Sequence, residues 1–204
     1  MNVRVKVCGI RRDEDALLAA ELGASAIGLI FWPGSSRVVG VDAAQAIVAA
    51  LPPFVMPVGV FVDQPRDDVL RVAKAVRLGA VQLHGDEDPA SYATLPLRVI
   101  KAVVVGDGFD QSRLSAVPAS ATVLLDAHDP IRRGGTGRVI DWTAAAAAAR
   151  TRPVILSGGL TPDNVRSAVE TVRPYAVDVA SGVESSPGLK DGAKLRAFFA
   201  ALSD

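Results

Sequence analysis

The sequence predicts a single (β/α)8 barrel spanning residues 1–204, and three observations carry that prediction. Eight short β-rich runs alternate with alanine-rich amphipathic segments from one end to the other. Most of the runs are continuously apolar, as parallel strands covered on both faces must be. The length divides into units of roughly 25 residues, near the minimum for a strand, two short loops and a helix.

The runs fall at residues 3–8, 26–31, 56–62, 80–84, 98–105, 121–126, 153–157 and 176–180. The first opens with Val3, Val5 and Val7, and Thr122-Val123-Leu124-Leu125 in the sixth is continuously apolar. Between the first two, residues 13–22 are acidic at their start and alanine-rich after it, which suits the helix dipole. Glu21-Leu22-Gly23-Ala24 leads into the second run as Arg77-Leu78-Gly79-Ala80 leads into the fourth, two repeat units later. Gly23 and Gly79 both read as left-handed residues just past a helix end. Residues 106–118 are glycine-bearing and leave room for only an abbreviated helix. Thr161-Pro162-Asp163-Asn164 predicts an N-cap threonine with proline at the first helical position. A final helix over 189–202 puts Leu195, Phe198, Phe199 and Leu202 on one face. An open doubly wound sheet is the alternative, but it usually needs fewer strands and a shorter chain.

Composition narrows the function. Lys+Arg 22 balances Asp+Glu 22, and no basic run occurs, so nucleic acid and anionic membranes are disfavoured as partners. No apolar stretch reaches membrane-span length and no signal-peptide core opens the chain, so a cytoplasmic protein is expected. A lone cysteine and two histidines, without HxH or ExxH spacing, predict no metal site. The lack of GxGxxG and Walker motifs disfavours dinucleotides and nucleoside triphosphates.

Barrel active sites lie at the C-terminal strand ends, so polar residues there are the candidates. Ser157-Gly158-Gly159 and Ser181-Gly182 follow the last two strands, where barrels commonly bind phosphate. Glycine-rich backbone and a short helix starting near Ser181 would converge N–H groups on the anion. Ordinary turn chemistry would explain either loop alone. Gly134-Gly135-Thr136-Gly137 is a third loop able to close over a ligand.

Cys8 ends the first strand with Lys6 on the same face, so it is either a small buried hydrophobe or a thiol made useful as base or nucleophile by a cation. Asp126 is a carboxyl delivered to the rim by a buried strand, either capping loop N–H groups or acting as a general acid. Arg37 is either a surface arginine or the site of a second anionic group such as a carboxylate. His84 and Asp178 complete the polar strand ends.

Taken in order, these motifs resemble the phosphoribosylanthranilate isomerase family of tryptophan biosynthesis over essentially the whole chain. They are Lys6-Val7-Cys8-Gly9-Ile10, Gly59-Val60-Phe61, Gln82-Leu83-His84-Gly85, Asp126 with Gly134 to Gly137, Leu156-Ser157-Gly158-Gly159-Leu160, and Asp178 with Ser181-Gly182-Val183-Glu184 and Pro187-Gly188-Leu189-Lys190-Asp191. The resemblance implies a cofactor-free Amadori rearrangement of N-(5-phosphoribosyl)anthranilate to 1-(2-carboxyphenylamino)-1-deoxyribulose 5-phosphate. It makes Asp126 the general acid, Cys8 the general base and Arg37 the partner of the anthranilate carboxylate. Gly158, Gly159, Ser181 and Gly182 would hold phosphate with Gly135 and Thr136, in a monomer or homodimer. Rival readings are a related phosphoribosyl isomerase of histidine biosynthesis, a metal-dependent pentose-phosphate epimerase and a non-catalytic phosphosugar-binding barrel.

Overall fold

The computed structural model describes residues 3–92, 97–106, 109–127 and 140–203. Its eight main strands close into a barrel in chain order, β1 to β8. They are β1 (Arg4–Cys8), β2 (Ala26–Ile30), β3 (Met56–Phe61), β4 (Ala80–Leu83), β5 (Arg98–Val105), β6 (Ala121–Ala127), β7 (Val154–Leu156) and β8 (Ala176–Val179). Every neighbouring pair is parallel, and β1 pairs with both β2 and β8. Each predicted run therefore holds a strand, displaced by no more than a residue at either end. Between and after the strands lie α1 (Asp13–Glu21), α2 (Val41–Ala50), α3 (Arg66–Val76), α4 (Ser112–Ser115), α5 (Trp142–Ala149), α6 (Val165–Val172) and α7 (Gly192–Ala200). None of the described helices is long and apolar enough to cross a membrane.

Helix ends are where local expectation and structure part. Gly23 does turn through positive φ after α1, but after α3 the left-handed residue is Arg77, not Gly79. Gly79 instead supplies space, since a β-carbon there would meet Met56 Cγ at 3.0 Å. The threonine cap of α6 is reversed, because Asn164 Oδ1 accepts from the Thr161 N–H at 2.8 Å and the helix starts at Val165. The last helix begins at Gly192, capped by Asp191, whose carboxylate accepts from the N–H groups of Ala193 and Lys194. Leu189–Lys190, predicted as its first turn, is a short strand, β10, paired antiparallel with β9 (Glu184–Ser186). Leu195, Phe198, Phe199 and Leu202 are buried together as the helical spacing requires.

Two cores result. One fills the space between barrel and helices; the other, built from Val58, Ala80, Ile100, Ala102, Leu124, Ile155 and Ala176, plugs the barrel itself. Side chains along a strand alternate between faces, so the next inward residue lies two positions on and one layer higher. That step converts the apolar plug into polar groups: Ala80 to Gln82, Leu124 to Asp126, Ile155 to Ser157, and Ala176 to Asp178. The chemistry sits on a dry floor at the C-terminal mouth.

Candidate active site

A cavity of about 520 Å³ opens at this mouth, lined among others by Cys8, Trp32, Arg37, His84, Asp126 and Asp178. The size suits a small metabolite. β1 aims both Lys6 and Cys8 inward. Lys6 stands opposite Asp178 in the β1–β8 register, and its Nζ donates to Asp178 Oδ1 at 2.8 Å. Burial pulls the Lys6 ammonium down, but Asp178 and then Cys8 outweigh it, so its pKa is raised and the charge persists. For Cys8, burial pushes the thiol up and exceeds the opposing pull of Lys6 and Lys190. The expected help from Lys6 is thus present, yet much of its charge is matched by Asp178. Room for the thiol comes from Gly28, the β2 partner of Cys8, where a β-carbon would lie 2.6 Å from Sγ.

Asp126 is buried near the end of β6, one carboxylate oxygen accepting from the Ala127 N–H at 2.9 Å and the other 3.1 Å from His84 Nε2. His84 Nδ1 in turn meets Gln82 Nε2 at 2.9 Å. Asp126 thus binds the N–H of the last residue of its own strand instead of a loop N–H, and its carboxyl also faces the cavity.

Arg37 reaches the cavity wall and is already paired. Its Nε donates to Glu184 Oε1 at 2.9 Å and its Nη2 to Oε2 at 2.8 Å. This fork occupies the Nε edge of the guanidinium, so a second carboxylate must approach from the Nη1 end. Glu184 is held by Lys190, whose buried Nζ donates to Glu184 Oε1 at 3.0 Å, to the Cys8 carbonyl at 2.6 Å and to the Ala180 carbonyl at 3.0 Å. One ammonium thus joins the ends of β1 and β8 to the arginine clamp. Burial pulls Lys190 down, and Glu184 only partly restores it. For Glu184 itself burial pushes the carboxyl up, but Arg37 and Lys190 overcome this and leave it below its ordinary value.

The last two strand ends form a small recess lined by Ser157, Gly158, Gly159 and Ser181 beside Asp126 and Asp178. Gly158 and Gly159 both have positive φ, at 85° and 68°, which lets consecutive N–H groups turn toward one concavity. Among the described residues neither N–H has a hydrogen-bond acceptor. One turn of 3-10 helix, Ser181–Val183, starts at the recess, as anticipated. A β-carbon at Gly182 would strike the Leu160 carbonyl oxygen, so the two loops press against each other only because Gly182 has no side chain. Gly135 and Thr136 lie outside the described residues. Among the described residues no group of three or more His, Cys, Asp or Glu side chains is placed to hold a metal ion.

The structure therefore brings Cys8, Arg37, His84, Asp126 and Asp178 to one cavity, with Gly158, Gly159 and Ser181 in the adjoining recess and Lys6 one layer below. Reasoning from the residues alone missed the supporting set Gln82, Glu184 and Lys190. Gln82 was the most visible of these, an amide inside the apolar run of β4.

Fold and site together define a class: a (β/α)8-barrel protein with a thiol, a carboxyl and an arginine around its C-terminal mouth. A family model described as N-(5'-phosphoribosyl)anthranilate (PRA) isomerase matches residues 5–201. The chain belongs to the phosphoribosylanthranilate isomerase family. It is 52% identical over 196 residues to the N-(5'-phosphoribosyl)anthranilate isomerase of Geobacter metallireducens, covering 96% of each chain. It superposes on the crystal structure of phosphoribosyl anthranilate isomerase from Thermotoga maritima with a TM-score of 0.90, at 43% identity and 98% coverage of both chains. A further crystal structure of such an isomerase, in complex with reduced 1-(o-carboxyphenylamino)-1-deoxyribulose 5-phosphate, matches with a TM-score of 0.86 at 42% identity, covering 97% of each chain.

Proposed function

We infer that this chain, as one barrel domain, catalyses the Amadori rearrangement of N-(5-phosphoribosyl)anthranilate to 1-(2-carboxyphenylamino)-1-deoxyribulose 5-phosphate in tryptophan biosynthesis. The observation that carries the reading is the placing of a thiol and a carboxyl in one cavity, with Arg37 on its wall and the glycine-rich recess of Gly158 and Gly159 standing apart as the two candidate anion sites. A substrate with a phosphate and a carboxylate at opposite ends requires that separation. Gly158, Gly159, Ser181 and Gly182 take the phosphate, joined by Gly135 and Thr136, and Arg37 takes the anthranilate carboxylate through its Nη1 end.

Held between these ends, the ribose meets Asp126, which gives its proton to the ring oxygen as the C1′–O bond breaks. The anilino nitrogen lone pair forms the C1′=N bond, giving a cationic Schiff base. That cation acidifies the C2′ hydrogen, which Cys8 removes as a thiolate; the C–H electrons form the C1′=C2′ bond and neutralise the nitrogen. Tautomerisation of the resulting enolamine gives the ketone. Lys6 supplies positive charge beneath the thiolate and Asp178 holds Lys6 in place. The step is an internal aldose–ketose redox change, so electrons balance without a cofactor.

A catalytic thiol that must stay reduced supports the expected cytoplasmic setting. Steady-state kinetics test the roles. Cys8→Ala and Asp126→Asn are expected to lower kcat by at least about 100-fold, and Arg37→Ala to act chiefly on KM. Near-wild-type kcat in either of the first two would remove that residue from the chemistry.

A further inference from the structure

The Gln82 side chain points inward from β4 just above the apolar plug, fully buried at the wall of the cavity two residues before His84. Its amide nitrogen lies 2.9 Å from His84 Nδ1, while its Oε1 is buried with no hydrogen-bond partner among the described residues. An unpaired buried acceptor is a standing cost, so a leucine or methionine would suit the strand better unless the amide has a task.

The geometry of the neighbouring ring defines that task. Neutral imidazole carries one proton and one lone pair, and whichever nitrogen accepts leaves the other as the donor. If Gln82 Nε2 donates to Nδ1, the ring proton is on Nε2, directed at Asp126 Oδ2 3.1 Å away. The reverse arrangement would leave a bare Nε2 lone pair against the carboxylate that Asp126 becomes on giving up its proton, and would bury both amide N–H groups without acceptors.

We propose that Gln82 is a positioning residue that fixes His84 in its Nε2–H tautomer, so that the ring donates to the Asp126 carboxylate left when the acid gives up its proton. The inference rests on the acid role of Asp126 given above. As the proton passes from Asp126 to the ribose ring oxygen, negative charge grows on a carboxylate that meets two fixed donors, the Ala127 N–H and His84 Nε2–H. Donors aimed at a charge that develops only in the transition state act on kcat more than on KM.

The test begins with the wild-type protein and needs no turnover. Nitrogen-15 spectra of the histidine rings, with His84 signals assigned by their loss in His84→Asn, are expected to show the neutral ring protonated on Nε2. A proton on Nδ1 would overturn the proposal outright. Gln82→Met keeps the side-chain length but removes the amide. It is expected to lose the tautomer preference and to lower kcat about tenfold with KM changed less than twofold. Gln82→Glu is the discriminating variant, because its carboxylate can only accept from Nδ1–H. It preserves the buried hydrogen bond but reverses the tautomer, so kcat should fall at least as far as in Gln82→Met, whereas a merely structural role would be rescued. Wild-type kcat in both variants would contradict the proposal. Failure of the underlying acid assignment is seen separately, as retained turnover in Asp126→Asn.

Discussion

The decisive contact at the scale of single residues is between a missing side chain and a present one. Gly28 leaves the space that the Cys8 thiol occupies, and a β-carbon there would come within 2.6 Å of Sγ. Gly28→Ala should therefore displace the thiol, lower activity and destabilise the fold. Adding Cys8→Ala should recover part of the lost melting temperature but not the turnover, a non-additive pair that thermal unfolding and kinetics read together. Because burial raises the Cys8 pKa, the thiolate fraction of the free enzyme grows as pH rises past the ordinary thiol range. The kcat/KM of wild type should accordingly rise with pH into that range, as a kinetic pH series checks. The same shift acts on stability with a definite sign. A folded value above the unfolded one contributes stability at lower pH that is lost as pH rises through the thiol range. Cys8 and Asp126 were legible in the sequence because each ends a buried apolar run. The Lys6–Asp178 pair was not, because two residues 172 positions apart become partners only through the closing β1–β8 register.

Among the elements, the short β9–β10 hairpin is the one that local sequence least disclosed. Leu189 and Lys190 precede an amphipathic helix and extend its pattern, so periodicity assigns them to it. The Asp191 side chain instead caps α7 and frees the preceding residues to pair with β9. This hairpin carries Glu184, which holds Arg37, and Lys190, which holds Glu184. Glu184→Gln removes a carboxylate from a partly buried guanidinium and a buried ammonium. It is expected to raise KM by about tenfold with a smaller change in kcat and to lower the melting temperature, since breaking a buried pair leaves its partners uncompensated. The depressed Glu184 carboxyl contributes stability above the ordinary glutamate range and loses it as pH falls through that range. Urea unfolding at a series of acid pH values should thus fall less steeply in Glu184→Gln than in wild type.

At the scale of the molecule, the apolar plug and the polar mouth are successive layers of the same strands. Eight apolar runs of the right spacing made the barrel legible, and period-two alternation explains why Leu124 is followed by Asp126 at the cavity. Leu124 is completely buried in the plug. Leu124→Ala should cost about 2–5 kcal/mol of stability by leaving a void under the site, measurable by denaturant unfolding. What single-chain patterning does not encode is which inward groups meet across the barrel, and there the closed strand order supplies the answer. The central claim is that this mouth isomerises N-(5-phosphoribosyl)anthranilate with Cys8 as base. Its most direct test is the loss of anthranilate-type fluorescence when purified protein meets that substrate generated in situ, beside Cys8→Ala under the same conditions. The account predicts rapid loss with wild type and at least about a hundredfold slower loss with the variant. Equal rates, or no loss despite phosphate-competable substrate binding, would contradict it.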